Sequence, residues 1–161
     1  MKISTNELKL RRLESFKRLI NIGLIVIGLL IEVGIFAYNW IFHFSQSVVE
    51  PLQNFWFKGH LLEIAIYGVI LFFFSMTYGG TRLGYMKNVE LIFSQVFATL
   101  MANLLIYAEL SVMAFQLFVP HHFLLMMVEQ TIGVIIYINI ANKIFSKVFP
   151  PRKLLLIHGD R

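Results

Sequence analysis

The stretch VELIFSQVFATLMANLLIYAELSVMAFQLFV, residues 89–119, decides the fold of this chain. It is an apolar run longer than the ~20 residues that an α-helix needs to cross a bilayer. Small residues recur every four positions at Ser94, Ala98 and Ala102. Polar residues recur beside them at the same spacing: Gln95, Thr99, Asn103, Tyr107 and Ser111. A helix with one small and one polar side is poorly suited to lipid, so we expect it at the centre of a membrane bundle.

The composition of the whole chain is also that of a membrane protein. Of its 161 residues, 58% are hydrophobic and only 14% are charged, whereas soluble domains carry about a quarter charged residues. Three more apolar runs, residues 19–42, 61–78 and 123–145, are close to the length of a membrane span. The predicted fold class is therefore all-α, a four-transmembrane-helix bundle over residues 19–148.

Local signals predict where the helices end. Gly79-Gly80 is expected to end the second helix, Asn88 to begin the third, and Pro120 to separate the third from the fourth. The chain has no cysteine, so the sequence contains neither a disulfide framework nor a thiolate metal site.

Basic residues are distributed unevenly between the two sets of loops. Six of the 14 lysines and arginines precede the first span, two lie between the second and third, and five surround or follow the end of the fourth. Only Lys58 belongs to the other set of loops. This positive-inside pattern predicts that both termini face the cytoplasm. Since topology accounts for the net charge of +5, no nucleic-acid partner is required.

The first 18 residues are predicted to be a cytoplasmic, basic, amphipathic segment. Ser4 and Glu7 have the spacing of a capping box. Apolar residues then recur at helical spacing, with basic residues between them: Leu10, Leu13, Phe16 and Ile20. This pattern favours an N-terminal amphipathic helix lying on the cytoplasmic leaflet. The alternative is a frayed leader whose charges only set the topology.

The pattern changes again in FPPRKLLLIHGDR, residues 149–161. Pro150-Pro151 cannot continue a helix, and a short apolar run bounded by turn residues is typical of a buried strand in a parallel sheet. The alternative is a peptide lying against the lipid headgroups. We expect this C-terminal, strand-like tail to begin a cytoplasmic α/β domain that is truncated here.

Three glutamates inside the spans are candidate functional residues, namely Glu32, Glu109 and Glu129. Each lies roughly eight to ten residues from the outer end of its span, about 12–15 Å at helical rise, so we expect them at one level. With no intramembrane lysine or arginine nearby, they are expected to be mostly protonated. They form either a cation or proton site or hydrogen bonds between helices. The second interpretation has amide partners: Asn39, Asn103 and Gln130.

Other signatures of chemistry are missing from the sequence. His121-His122 lacks a third ligand at helical spacing, and adjacent side chains on a helix are expected to point apart, so we predict no metal site. The sequence has no phosphate-binding glycine loop, no HExxH and no nucleophile elbow. We therefore assign it no catalytic residue and no cofactor of its own.

Two segments carry a resemblance to a known family: YGGTRLGYMKNVELIFSQVFATLMANLLIYAEL, residues 78–110, and FPPRKLLLIHGD, residues 149–160. Together they resemble the amino-terminal part of bacterial polyprenyl-phosphate sugar-1-phosphate transferases, which initiate capsule and exopolysaccharide synthesis. In that family, four membrane helices precede a soluble nucleotide-binding-like domain and then a catalytic domain. The resemblance implies that the catalytic domain transfers a hexose-1-phosphate from a UDP-sugar to undecaprenyl phosphate, using Mg²⁺ and an Asp-Glu pair.

The resemblance implies a membrane-anchoring domain in the bacterial cytoplasmic membrane. Its catalytic domain would lie outside this sequence, and the chain alone is expected to be inactive. Basic residues near the cytoplasmic face are candidates for contact with the polyprenyl phosphate headgroup: Arg82, Lys87, Lys147, Arg152 and Lys153. Topology and attraction to anionic lipid account for the same residues equally well.

Two other functions stay open. A small four-helix transporter or lipid flippase would use the intramembrane glutamates as a proton or cation site. A structural membrane subunit would associate with copies of itself through the face formed by Ser94, Ala98 and Ala102.

Overall fold

The computed structural model describes residues 5–45, 57–81, 86–113, 117 and 120–148; for residues 5–15, 17, 57, 120 and 148 it describes the backbone alone. The described part of the chain forms four long helices, the first of which ends in a π-helical segment. They are α1 (Thr5–Asn39) with its π-helical segment Trp40–Phe44, α2 (Phe57–Tyr78), α3 (Asn88–Met113) and α4 (Pro120–Val148). The prediction of an all-α fold is confirmed for these residues.

Each helix contains a segment long and apolar enough to cross a membrane. These segments are Arg18–Phe44, Lys58–Tyr78, Asn88–Met113 and His121–Lys147. Judged by length and composition, the chain is a multi-pass membrane protein with four spans, as its hydropathy predicts.

The helix boundaries follow the local signals. Gly79 ends α2 with a φ of 81°, a left-handed conformation that glycine adopts without strain. Helix α3 begins at Asn88, and Pro120 is the first residue of α4, where its missing N–H is tolerated. The third apolar run extends to residue 119, whereas the described helix α3 covers Asn88–Met113; residues 114–116, 118 and 119 lie outside the described part of the chain.

The four helices run alternately up and down. Tyr67 of α2 hydrogen-bonds to Asn103 of α3, and Ser75, further along α2, is bonded by Gln95, earlier on α3, so these helices are antiparallel. Helices α1 and α3 each pack against both α2 and α4. We call the end where α1 and α3 begin the terminal end, and the opposite end, where the α1–α2 and α3–α4 connections lie, the loop end.

Two apolar clusters fill the bundle. The cluster toward the loop end is the larger, and it includes Phe36 stacked on Tyr67 with ring centroids 4.0 Å apart. The cluster toward the terminal end is built from aliphatic residues and Phe145, among them Leu24 and Leu91. Buried polar side chains lie between these clusters, and they form the candidate site described below.

Helix α3 is the most buried of the four spans, which confirms its predicted central position. Ala98 and Ala102 have no exposed surface, and Ser94 is half-buried. The small-residue face is therefore used for close packing inside the bundle. Pairing of the chain through this face stays a prediction; within the bundle its two alanines are covered by neighbouring helices.

The structure describes the two ends of the chain only in part. Helix α1 continues from Thr5 through residue 18 into the first span without interruption, so the structure shows no boundary there. The amphipathic character of residues 5–15 stays a prediction, because their side chains are not described. The strand-like tail, residues 149–161, lies outside the described residues.

Candidate functional site

Glu32 is the centre of a buried polar cluster midway along the bundle. Its side chain is only 2% exposed. Gln95 Nε2 donates a hydrogen bond to Glu32 Oε1 at 2.6 Å and another to Ser75 Oγ at 3.0 Å. Thr99 Oγ1 lies 2.5 Å from Glu32 Oε2. Since Gln95 and Thr99 are one turn apart on α3, both side chains reach the same carboxyl group.

The Thr99 hydroxyl group has only one hydrogen to donate, and this bears on whether the Glu32 carboxyl group is protonated. The Thr99 hydroxyl also lies 2.9 Å from the main-chain oxygen of Gln95. A hydroxyl group has a single hydrogen, and within a helix threonine often donates it to the carbonyl one turn earlier. The hydrogen between Thr99 and Glu32 then comes from the carboxyl group. A neutral Glu32 that donates to Thr99 and accepts from Gln95 would satisfy both bonds, and the protonation of Glu32 stays a prediction.

A second polar group forms a closed ring of hydrogen bonds next to Glu32. Tyr67 Oη donates to Asn103 Oδ1 at 3.1 Å, Asn103 Nδ2 donates to Gln130 Oε1 at 2.6 Å, and Gln130 Nε2 donates to Tyr67 Oη at 2.7 Å. Gln130 Nε2 also lies 3.4 Å from the main-chain oxygen of Glu32. Each side chain in the ring both donates and accepts, so burial leaves none of the three without a partner.

The two polar groups together involve all four helices. Glu32 comes from α1, Tyr67 and Ser75 from α2, Asn103 from α3 and Gln130 from α4. Hydrogen bonds that join four helices in an apolar environment define how the helices are shifted along one another. This network therefore helps to determine the relative positions of the four helices.

The turn after α2 positions Gln95. Gly80 approaches it so closely that a Cβ atom at this position would lie 2.0 Å from Gln95 Oε1. Only glycine leaves room for the amide in its observed position, because any other residue has a Cβ atom that would overlap it. The Gly79-Gly80 pair thus both ends α2 and makes space for the side chain that binds Glu32.

A narrow recess lies on the terminal-end side of Glu32. It contains about 310 Å³ of empty space, part of it open to the surroundings, and Glu32, Gly80 and Gln95 are among its lining residues. Tyr137 also lines it, and its hydroxyl group donates to the main-chain oxygen of Leu24. The recess is lined mainly by apolar groups and lies between Glu32 and the turn after α2.

The three intramembrane glutamates do not share one level, so that prediction is wrong. Glu129 accepts a hydrogen bond from Asn39 Nδ2 at 2.9 Å, and Asn39 lies about 10 Å beyond Glu32 along α1. Glu109 lies about 15 Å beyond Thr99 along α3. The level was inferred from the ends of the apolar runs, which do not determine how far each helix is shifted along its neighbours.

The interpretation of these residues as interhelical hydrogen-bonding groups is partly confirmed. Asn39 bonds to Glu129, as expected. Asn103 and Gln130 bond to each other and to Tyr67, whereas the side chain of Glu32 takes its partners from α3. Glu129 is exposed on the outer surface of the bundle and Glu109 is half-buried.

Two of the five basic headgroup candidates are described. Lys87 and Lys147 are both exposed, and both belong to the terminal end, just before α3 begins and where α4 ends. The other three lie outside the described residues: Arg82, Arg152 and Lys153.

The histidines at the loop end are closer together than predicted. The rings of His121 and His122 have centroids 3.7 Å apart, although adjacent side chains were expected to diverge. His43 stacks on His122 with a centroid separation of 5.2 Å. Within the described residues, no group of three acidic, histidine or cysteine side chains is arranged to hold a metal ion.

Sequence reasoning missed the contribution of α2. Glu63, Tyr67, Leu71 and Ser75 follow one another at intervals of four, and all four are buried. A polar residue at three of four positions along one helical face was a signal available in the sequence. It was overlooked because the helix is otherwise uniformly apolar.

Comparisons with protein-family models, curated proteins and solved structures find no match to this chain. Its function is therefore inferred from its own residues and their geometry.

Proposed function

We propose that this chain is the membrane-anchoring domain of a bacterial polyprenyl-phosphate sugar-1-phosphate transferase. The proposal comes from the resemblance of residues 78–110 and 149–160 to that family. One structural observation supports it: the first of these segments builds the tight α2–α3 junction. There Gly80 makes room for Gln95, and Gln95 binds Glu32 and Ser75. The residues that carry the resemblance thus have a specific structural role.

The proposed domain anchors the enzyme in the bacterial cytoplasmic membrane, with both termini in the cytoplasm, and engages the lipid carrier. The exposed Lys87 and Lys147 at the terminal end support this assignment. Ammonium groups at a membrane surface attract phosphate headgroups and form charge-assisted hydrogen bonds with them. Arg82, Arg152 and Lys153 are assigned the same role from the sequence. Sugar-phosphate transfer, with its Mg²⁺, is attributed to the catalytic domain of the family and to no residue here.

Carrier binding is tested with the purified chain in nanodiscs that contain phosphatidylglycerol and undecaprenyl phosphate. Native mass spectrometry after release from the nanodisc measures which lipid stays bound. We expect undecaprenyl phosphate to be retained preferentially. Lys87→Gln and Lys147→Gln should each weaken retention about fivefold, since one lysine near a membrane surface contributes about 1 kcal/mol.

Lys58→Gln is the matched control for this measurement. Lys58 is also exposed at the start of a span, but at the loop end. Its replacement should leave retention unchanged. Equal retention of phosphatidylglycerol, or an equal effect of Lys58→Gln, would mean that the basic residues only orient the protein.

A small transporter or lipid flippase is a second candidate. The buried Glu32 favours it, because two side chains of α3 bind its carboxyl group beside a recess. This function requires Glu32→Gln and Glu109→Gln to abolish transport by reconstituted protein while folding stays intact. Transport at the wild-type rate by both variants would eliminate the candidate.

A further inference from the structure

Glu63 of α2 is a buried carboxyl group outside the Glu32 cluster. Its side chain is 3% exposed, and its Oε1 atom has no hydrogen-bond partner among the described residues. A buried polar atom without a hydrogen-bond partner destabilises the fold, because it has lost its contact with water and gained nothing in return. A ligand that supplies a hydrogen bond or a positive charge would remove this destabilisation.

The register of α2 and α3 brings a second carboxyl group to Glu63. Tyr67 bonds to Asn103 between these antiparallel helices. Glu63 lies one turn beyond Tyr67 toward the loop end, about 6 Å, and Glu109 lies about 9 Å beyond Asn103 in the same direction. Along the helix axes, the positions of the two glutamates therefore differ by only about 3 Å. The Glu109 carboxyl is close enough to act electrostatically on Glu63.

The charged group that acts on Glu63 is another carboxyl group, that of Glu109, and not a cation. Lys58 and His60 precede Glu63 on α2, and His60 Nδ1 accepts a hydrogen bond from Trp40 Nε1 at 3.1 Å. That nitrogen therefore carries no proton. Trp40 of α1 reaches this end of α2 through its bond to His60, and Tyr107 precedes Glu109 by two residues on α3.

We propose that Glu63 and Glu109 form a site that holds one small monovalent cation, a proton or an alkali-metal ion, between their carboxyl groups. Two adjacent carboxylates inside a membrane repel each other strongly, and one bound positive charge removes most of that repulsion. The described residues provide no third acidic, histidine or cysteine ligand here, so a single charge suits the site. The half-buried Glu109 gives the ion a route to the site from the bundle surface.

The site is tested by carbodiimide modification of the full chain in nanodiscs. Dicyclohexylcarbodiimide reacts with protonated carboxyl groups in apolar surroundings, and peptide mass spectrometry quantifies the modification at Glu63. We expect Glu63 to be modified in sodium-free buffer at mildly acidic pH. Glu109→Gln removes the second carboxyl group, so it should shift the pH profile of this modification toward lower pH by about one unit, which lowers the modification about tenfold on the alkaline side of the profile.

Two further variants complete the test. Glu129→Gln alters a carboxyl group that is bonded to Asn39 on another side of the bundle, and it should leave Glu63 modification unchanged. Glu109→Asp keeps a carboxyl group and should keep modification near the wild-type level, which separates loss of the site from loss of folding.

Sodium chloride distinguishes the two occupants when it is compared with choline chloride at the same ionic strength. Protection of Glu63 by sodium identifies an alkali-metal ion, and modification that is unaffected by sodium identifies a proton. Equal modification of Glu63 in the wild type and Glu109→Gln would overturn the proposal. So would the absence of any modification across the pH range in sodium-free buffer.

Discussion

Replacing Gly80 with alanine should destabilise the bundle through a single contact. The added Cβ atom would lie 2.0 Å from Gln95 Oε1 and 3.2 Å from Gln95 Cδ. Gly79, not Gly80, has the positive φ, so alanine at position 80 meets no backbone strain of that kind. The side-chain amide of Gln95 is the group that has to move.

The size of the effect follows from the hydrogen bonds that Gln95 would lose. These are its bonds to Glu32 at 2.6 Å and to Ser75 at 3.0 Å. Interhelical hydrogen bonds in membrane proteins contribute about 0.6 kcal/mol on average and about 1.7 kcal/mol at most. Their acceptors would stay buried without a partner, which adds to the loss. We expect the free energy of unfolding to fall by about 2 kcal/mol.

The assay is reversible unfolding in mixed micelles. Sodium dodecyl sulfate is titrated into protein in a mild detergent, and the loss of helix is followed by circular dichroism. Gly34→Ala is the matched control, because a Cβ atom at Gly34 meets nothing within 4 Å. Since alanine favours a helix over glycine, this control should be neutral or stabilising by up to about 1 kcal/mol.

A double-mutant cycle identifies the cause. In a Gln95→Ala background, the alanine at position 80 has no amide to displace, so Gly80→Ala should then have almost no effect. Two results would refute this reasoning. One is a Gly80→Ala variant as stable as Gly34→Ala. The other is a pair of substitutions at positions 80 and 95 whose effects are simply additive.

The same titration tests two further parts of the polar network. Tyr67→Phe opens the ring, leaving Asn103 Oδ1 without its donor, and should lower the free energy of unfolding by about 1–2 kcal/mol. Tyr38→Phe, at an exposed tyrosine, should have no effect, and an equal loss in both variants would contradict the role of the ring. Glu32→Gln should have a free energy of unfolding within about 0.5 kcal/mol of the wild type, because an amide can also accept from Gln95 and donate to Thr99. Glu32→Leu has no polar group at this position and should lower the free energy of unfolding by about 2 kcal/mol. Strong destabilisation by Glu32→Gln would show that Glu32 is ionised.

The number of helices and their boundaries were predictable from the sequence. Bilayer thickness requires about 20 apolar residues in a row, and this requirement can be read from each segment separately. The glycine pair after α2 and Pro120 before α4 act locally, through φ and through a missing N–H. The central position of α3 was also predictable, because its small and polar faces both require neighbouring helices.

The depth and exposure of individual polar residues were not predictable. Glu32 and Glu129 have similar sequence surroundings, yet one is buried among α3 side chains and the other is exposed. Glu63 lies near the end of its span and is nevertheless buried. Such differences depend on the rotation of each helix about its axis and on its shift along its neighbours.

By itself, the sequence determined that this chain has four apolar helices, where they end, and which of them packs at the centre. These properties depend on local patterns and on the thickness of a bilayer. Only the tertiary structure decided that Glu32 bonds to Gln95 and Thr99, and that Tyr67 joins Asn103 and Gln130. These contacts join residues far apart in the chain. Their geometry is set by packing between helices, which cannot be deduced from any single segment of the sequence.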